Sequence, residues 1–148
     1  MEQSEGGFRF QDLSHRAARR VIQRAFVLAG RNRSLRDHIR TAEVETLWKI
    51  EDWGFSWTVL IDRGRLEFSR RPSKRPDVTL LWPSLEDFTA QLDEQPLFRD
   101  RDADFIDARD PKARKVALAL YTAFIPLLRQ VISDPFDEDG TPLIAHIL

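Results

Sequence analysis

The sequence predicts an α+β fold, in which helices at both ends of the chain flank a series of short strands. Apolar residues recur with a helical period near the N-terminus and again after residue 110, but they alternate with a period of two between residues 45 and 82. The triplets Asp52-Trp53-Gly54 and Asp62-Arg63-Gly64 are typical of tight turns between strands. We therefore expect one domain over residues 1–148, with residues 1–10 frayed and residues 134–148 forming a C-terminal tail.

Two helices are predicted in the N-terminal part of the chain. The first runs from Asp12 to Ala29, because its apolar residues fall on one face, and Gly30 ends it. A second, shorter helix covers Ser34 to Arg40, with Ser34 as its N-cap.

The middle of the chain predicts four strands. The first contains Trp48 and Ile50, and the third contains Leu66 and Phe68. The inward positions of the second strand are Phe55, Trp57, Val59 and Ile61, and the fourth strand spans Asp77 to Trp82. Period-two alternation of this kind indicates strands with one buried face.

The C-terminal half predicts a short helix, a weak strand and a long helix. Ser84 caps the short helix, which ends near Leu92. The strand, residues 103–109, is rich in acids, so we expect it at a sheet edge. The final helix begins at Asp110-Pro111 and runs to about Ser133, and Pro126 should kink or break it near residues 122–125.

One stretch resembles a known family. It contains the strand Trp57-Thr58-Val59-Leu60-Ile61, the turn at residues 62–64, the segment Pro76-Asp77-Val78-Thr79-Leu80 and the helix start Ser84-Leu85-Glu86-Asp87-Phe88. This pattern is similar to the sterol-carrier-protein-2 family. The resemblance implies a five-stranded, mostly antiparallel sheet covered by helices. It also implies a hydrophobic ligand between sheet and helices, such as a fatty acyl chain, a sterol or an isoprenoid-quinone-like lipid.

The aromatic residues of the sheet and the final helix are the candidate ligand contacts. The predicted ligand-binding residues are Trp48, Trp57, Val59, Phe68, Leu80, Trp82, Phe88, Leu120 and Phe124. They would supply apolar contact, with arginines at the rim for an acidic headgroup. Side chains of this size can also fill a core completely. The alternative is therefore an accessory, assembly or dimerisation module with a filled core and no lipid cargo.

The sequence offers little chemistry for catalysis or metal binding. It contains no cysteine and three histidines, His15, His38 and His146, without metal-ligand spacing. No nucleophile or phosphate-loop motif occurs. We expect a non-catalytic protein without a metal or cofactor. The alternative, an enzyme acting on a lipid-like substrate, would have to use Asp104, Asp107 or a histidine.

Charge is distributed unevenly along the chain. Residues 1–40 carry nine arginines and four acids, a net charge of +5, whereas the rest of the chain is net acidic. Arg16, Arg19, Arg20 and Arg24 lie along the first helix, either as a solvated face or as a docking site for an anionic membrane. Because nucleic acid would be repelled by the acidic remainder, we expect no nucleic-acid partner.

The two termini give the remaining expectations. The N-terminus shows no signal peptide, and no window approaches the roughly 18 apolar residues of a membrane span, so we expect a cytoplasmic protein. The apolar segment 143–148 must pack on something, which leaves a homodimer open.

Overall fold

The architecture is α+β, as predicted: the part of the chain that the structure describes forms a five-stranded mixed sheet with four α-helices packed against it. The computed structural model describes residues 9–93 and 105–134. The helices are α1 (His15–Ala29), α2 (Arg33–Ile39), α3 (Leu85–Asp93) and α4 (Pro111–Ser133). The strands are β1 (Glu43–Ile50), β2 (Phe55–Asp62), β3 (Arg65–Ser69), β4 (Val78–Trp82) and β5 (Ile106–Ala108).

The strand order within the sheet is β3-β2-β1-β4-β5. Three of the four neighbouring pairs are antiparallel, and β1 pairs with β4 in parallel. β1 and β4 therefore begin at the same end of the sheet. The prediction that β5 lies at an edge is confirmed; the predicted strand also included residues 103 and 104, which lie outside the described residues.

The predicted alternation holds along the second strand. Phe55, Trp57, Val59 and Ile61 are buried on the face that carries the helices. The hairpin from β2 to β3 pairs Asp62 with Arg65. Its two central residues, Arg63 and Gly64, both have positive φ, at 49° and 90°, as the tightest hairpin turns require.

Helix starts agree with the sequence in two cases and correct it in two. Ser84 caps α3 as predicted, with its Oγ accepting from the Asp87 N–H at 3.0 Å. Asp110 caps α4 as predicted, with its Oδ1 accepting from the Ala113 N–H at 2.8 Å. The N-cap of α2 is Asn32 rather than Ser34, because the Asn32 side chain accepts from the Leu35 N–H at 2.9 Å. The first helix begins at His15 rather than residue 12, since Ser14 caps it.

The frayed N-terminus predicted for residues 1–10 is wrong at its last position. Phe10 begins a 3-10 turn, Phe10–Asp12, and is 2% exposed. Its ring packs against Trp53 and Phe88 at centroid distances of 5.6 and 5.1 Å. Burial of a large aromatic ring is favourable, and it holds Phe10 in place against these two residues.

The sequence predicts that Pro126 kinks or breaks the final helix, but the break does not occur, because α4 runs unbroken from Pro111 to Ser133. Proline removes the hydrogen bond to the carbonyl four residues earlier, which belongs to Thr122. Both Thr122 and Pro126 are exposed, so solvent can reach this side of the helix and hydrate the carbonyl.

The same helix corrects the statement that no segment approaches a membrane span. α4 contains an 18-residue window of mean hydropathy 1.6, long and apolar enough by composition to cross a bilayer, and 39% of that window is buried. A core helix of a soluble protein has the same composition. Leu120, Phe124 and Leu128 on its inner face are 0% exposed against the sheet and the other helices.

Candidate functional site

The aromatic residues predicted to contact a ligand form a packed layer over the sheet. Of the nine predicted residues, eight are at most 1% exposed: Trp48, Trp57, Val59, Leu80, Trp82, Phe88, Leu120 and Phe124. Phe68, on the outer strand β3, is half-buried. The structure therefore brings the set together as side chains that contact one another.

Ring contacts run across the whole layer. Trp48 lies at its centre, with ring centroids 5.6 Å from Trp57, 6.1 Å from Trp82 and 5.2 Å from Phe124. Phe26 of α1 stacks on Phe124 at 4.2 Å with an interplanar angle of 10°. Phe26 thus occupies the space over the sheet next to Phe124.

Hydrogen bonds satisfy two of the three buried indoles in this layer. Trp48 Nε1 donates to Thr46 Oγ1 at 2.8 Å, and that hydroxyl donates to the Val59 carbonyl at 2.7 Å. Trp82 Nε1 donates to Gln91 Oε1 at 3.0 Å. Trp57 Nε1 is buried and has no hydrogen-bond partner among the described residues. An unsatisfied buried donor costs about 1–3 kcal/mol, so this N–H opposes folding.

A cavity lies elsewhere, between α2 and the first half of α4. Its volume is about 890 Å³, and it opens at the end of the sheet where β1 and β4 begin. Its lining residues are Asn32, Ser34, Leu35, His38, Thr41, Ala42, Glu43, Val44, Asp77, Arg109, Asp110, Lys112, Ala113, Lys115, Val116, Leu118, Ala119, Thr122 and Ala123. We call this cavity the α2–α4 cleft. None of the nine predicted residues lines it, so a ligand contact by those nine stays a prediction.

Small side chains on α4 keep the cleft open. Ala119 and Ala123 lie one helical turn apart and face the cleft, with Ala113 nearer the helix start. Leu35 of α2 and Val44 of β1 form apolar wall opposite them. The result is an apolar floor of a volume typical of small-molecule sites.

Charged residues line the mouth of the cleft, and each acid there already has a partner. Asp77 Oδ1 lies 2.7 Å from Arg109 Nη2, and its Oδ2 accepts from the Glu45 N–H at 2.9 Å. Glu43 lies 3.5 Å from Arg63 Nε. Asp110 is occupied as the cap of α4.

The lysines at the mouth are in a different position. Lys112 and Lys115 are exposed and form no ion pair with the part of the chain that the structure describes. His38 is also exposed on the facing helix. Asp77 and Glu43 are paired with arginines, so Lys112 and Lys115 are the two cations among the described residues of the mouth that an anionic group could contact.

Of the residues named for a possible enzyme, the structure describes His15, His38 and Asp107. The His15 ring packs on Trp53 and Phe55, with centroid distances of 4.6 and 5.0 Å, whereas His38 lines the cleft. Asp107 is exposed on β5, while Asp104 and His146 lie outside the described residues. Among residues 9–93 and 105–134, no three His, Asp or Glu side chains cluster as metal ligands would.

Sequence reasoning missed the cleft because its residues carry weak signals. Alanine is a strong helix former, so helix propensity alone would explain its presence at positions 119 and 123. The available signal is that the four alanines of α4, at positions 113, 117, 119 and 123, all fall in the part of the helix before Phe124, where the cleft lies.

Comparison with known proteins adds no assignment. No protein-family model matches the sequence, no curated protein is significantly similar to it, and no solved structure is significantly similar to its fold. The resemblance to the sterol-carrier-protein-2 family stays a prediction.

Proposed function

We propose that this protein binds an elongated hydrophobic small molecule, of the fatty acyl, sterol or isoprenoid-quinone kind, and performs no chemistry on it. The observation that carries the proposal is the α2–α4 cleft of about 890 Å³. The ligand would lie in this cleft and not within the packed aromatic layer.

The composition of the cleft supports an amphipathic ligand with an acidic head. Ala119, Ala123 and Val44 offer apolar contact to a chain. Lys112 and Lys115 stand at the mouth without acidic partners among the described residues, where a carboxylate would meet them. A ligand of this form would bury its tail and leave its head at the protein surface.

A chain-length series tests the proposal. Saturated fatty acids of 10, 12, 14 and 16 carbons would be titrated into the purified protein, with native mass spectrometry to count bound molecules. Each buried methylene contributes at most about 0.8 kcal/mol, so affinity should rise by up to about fourfold per methylene until the cleft is filled. One bound molecule per chain with this dependence supports the proposal. No binding of any member would contradict it.

The second candidate is an interaction module in which the apolar surface contacts another protein chain. The filled aromatic layer favours it, as does the incomplete burial of Val116, Leu118 and Leu127 on α4. A second copy of the chain covering α4 would give a dimer by analytical ultracentrifugation. Fatty acid would then compete with dimerisation, whereas a dimer indifferent to fatty acid would favour a purely structural contact.

A further inference from the structure

A second pocket, separate from the cleft, lies between α1 and the outer strand β3. Its volume is about 320 Å³, and its described lining consists of Arg16, Arg19, Arg20, Gln23, Phe68 and Arg70. Four of these six residues are arginines, and no acid belongs to the described lining.

The structure holds Arg19 in place in this pocket. Its guanidinium carbon lies 4.5 Å from the centroid of the Phe55 ring, and its Nη1 donates to the Ser56 carbonyl at 3.4 Å. The side chain is therefore turned towards the sheet instead of extending from α1 into solvent. A stacked guanidinium with a fixed plane is pre-organised to bind an oxyanion with its remaining N–H groups.

Like charges meet in the pocket at a cost to the fold. Burial, and then the charge of Arg70, lower the pKa of Arg19. Arg16 and Arg19 also lie in the first turns of α1, where the helix dipole disfavours positive charge. A bound anion would offset the repulsion between the arginines and the unfavourable helix dipole, both of which destabilise the protein when the pocket is empty.

We propose that this pocket binds a phosphoryl group, held by Arg16, Arg19 and Arg70. Three guanidinium groups suit a tetrahedral dianion, because each can form paired N–H···O bonds to a different edge of the phosphate. Because the arginines line one pocket from two elements, α1 and the end of β3, they fit one phosphoryl group better than the flat surface of a bilayer. The group could belong to a soluble phosphate ester or to a phospholipid head, and the chemistry of recognition is the same.

The first measurement compares phosphate with chloride at matched ionic strength, using the full chain. Inorganic phosphate should raise the melting temperature and should bind by calorimetry. Arg70→Gln and Arg16→Gln should each weaken phosphate binding at least tenfold. Arg16 is exposed, so its replacement should leave folding intact, as circular dichroism would verify.

The matched control is Arg65→Gln, which removes the same charge from β3 on the opposite face of the sheet. Arg65 lies on the face of β3 opposite to Phe68 and Arg70, and it does not line the pocket. The control should bind phosphate as the unmodified protein does. Equal losses in the Arg65 and Arg70 variants, or no phosphate effect beyond that of chloride, would overturn the proposal.

Two further probes distinguish the source of the phosphoryl group. Glycerol 3-phosphate would be titrated in solution, and phosphatidylcholine vesicles with or without phosphatidic acid would be tested by flotation. Arg70-dependent binding to either probe supports the site and identifies its source. Binding to neither overturns it. The fatty acid series at the cleft is independent of both results.

Discussion

The two halves of the helical layer differ in what fills them. Over the centre of the sheet, Phe26 stacks on Phe124, and both rings contact Trp48 edge-to-face in a continuous core. At the end where β1 and β4 begin, Ala119 and Ala123 face α2 across the cleft. Both halves share helix α4. The size of the side chains along this one helix therefore differs between the packed core and the cleft. We therefore expect substitutions at the alanines to change ligand binding, and substitutions at the aromatic residues to change stability.

The largest expected effect is the loss of an aromatic from the packed half. Phe124→Ala should lower the free energy of unfolding by about 3–5 kcal/mol, because a fully buried ring leaves a cavity that the stacked Phe26 cannot fill. Urea denaturation would measure the change. Leu127→Ala, at a half-buried position of the same helix, should cost clearly less. Equal losses would show that the core is not packed as described.

The next effect concerns the hydrogen bonds inside that half. Thr46→Val should cost about 1–3 kcal/mol, because the Trp48 N–H and the Val59 carbonyl both lose their partner while the shape is preserved. Thr58→Val is the control on the other face of the sheet, where the Thr58 hydroxyl donates to the Arg71 carbonyl at a less buried site. Denaturation should rank Thr46 above Thr58, and the reverse ranking would argue against a buried network.

In the open half, filling the space should change binding more than stability. Ala119→Phe should weaken fatty acid binding at least tenfold, about 1.4 kcal/mol, because the ring would occupy the cleft. The melting temperature should change little. Ala90→Phe, an exposed alanine on α3, is the matched control and should bind normally. Undiminished binding by the Ala119 variant would place the ligand somewhere else.

The smallest effect is expected at the mouth. Replacing Lys112 and Lys115 together by Gln should reduce the preference for a fatty acid over the corresponding alcohol by up to about fivefold, since exposed ion pairs contribute about 1 kcal/mol or less. Competition binding would measure the ratio. Arg36→Gln, which removes one exposed positive charge from α2 without touching the described lining, should leave the ratio unchanged.

The packed half could be predicted from the sequence, and the open half could not. Alternation from Phe55 to Ile61 determines which side of β2 is buried, and the short turn at Gly64 determines its pairing with β3. The cleft depends on how far α2 stands from α4, a tertiary distance that no local pattern encodes. The N-cap at Asn32 sets the start of α2, whereas the sequence pattern predicted Ser34 for that role.

The pocket between α1 and β3 could be predicted in part from the sequence. Helical spacing groups Arg16, Arg19 and Arg20 on one side of α1, which the sequence already indicates. Arg70 follows β3, some fifty residues later, and only the sheet order brings it opposite α1. Folding thus brings Arg70 together with the arginines of α1 in one pocket.

The most direct test locates the ligand within the molecule. A stearate carrying a nitroxide at its methyl end would be bound to the ¹⁵N-labelled protein, and signal loss would be mapped by nuclear magnetic resonance. We predict the strongest broadening at the amides of Leu35, Ala119 and Ala123, around the cleft. Broadening centred on Trp48 and Trp57, or none above that of free nitroxide, would contradict a ligand site between α2 and α4.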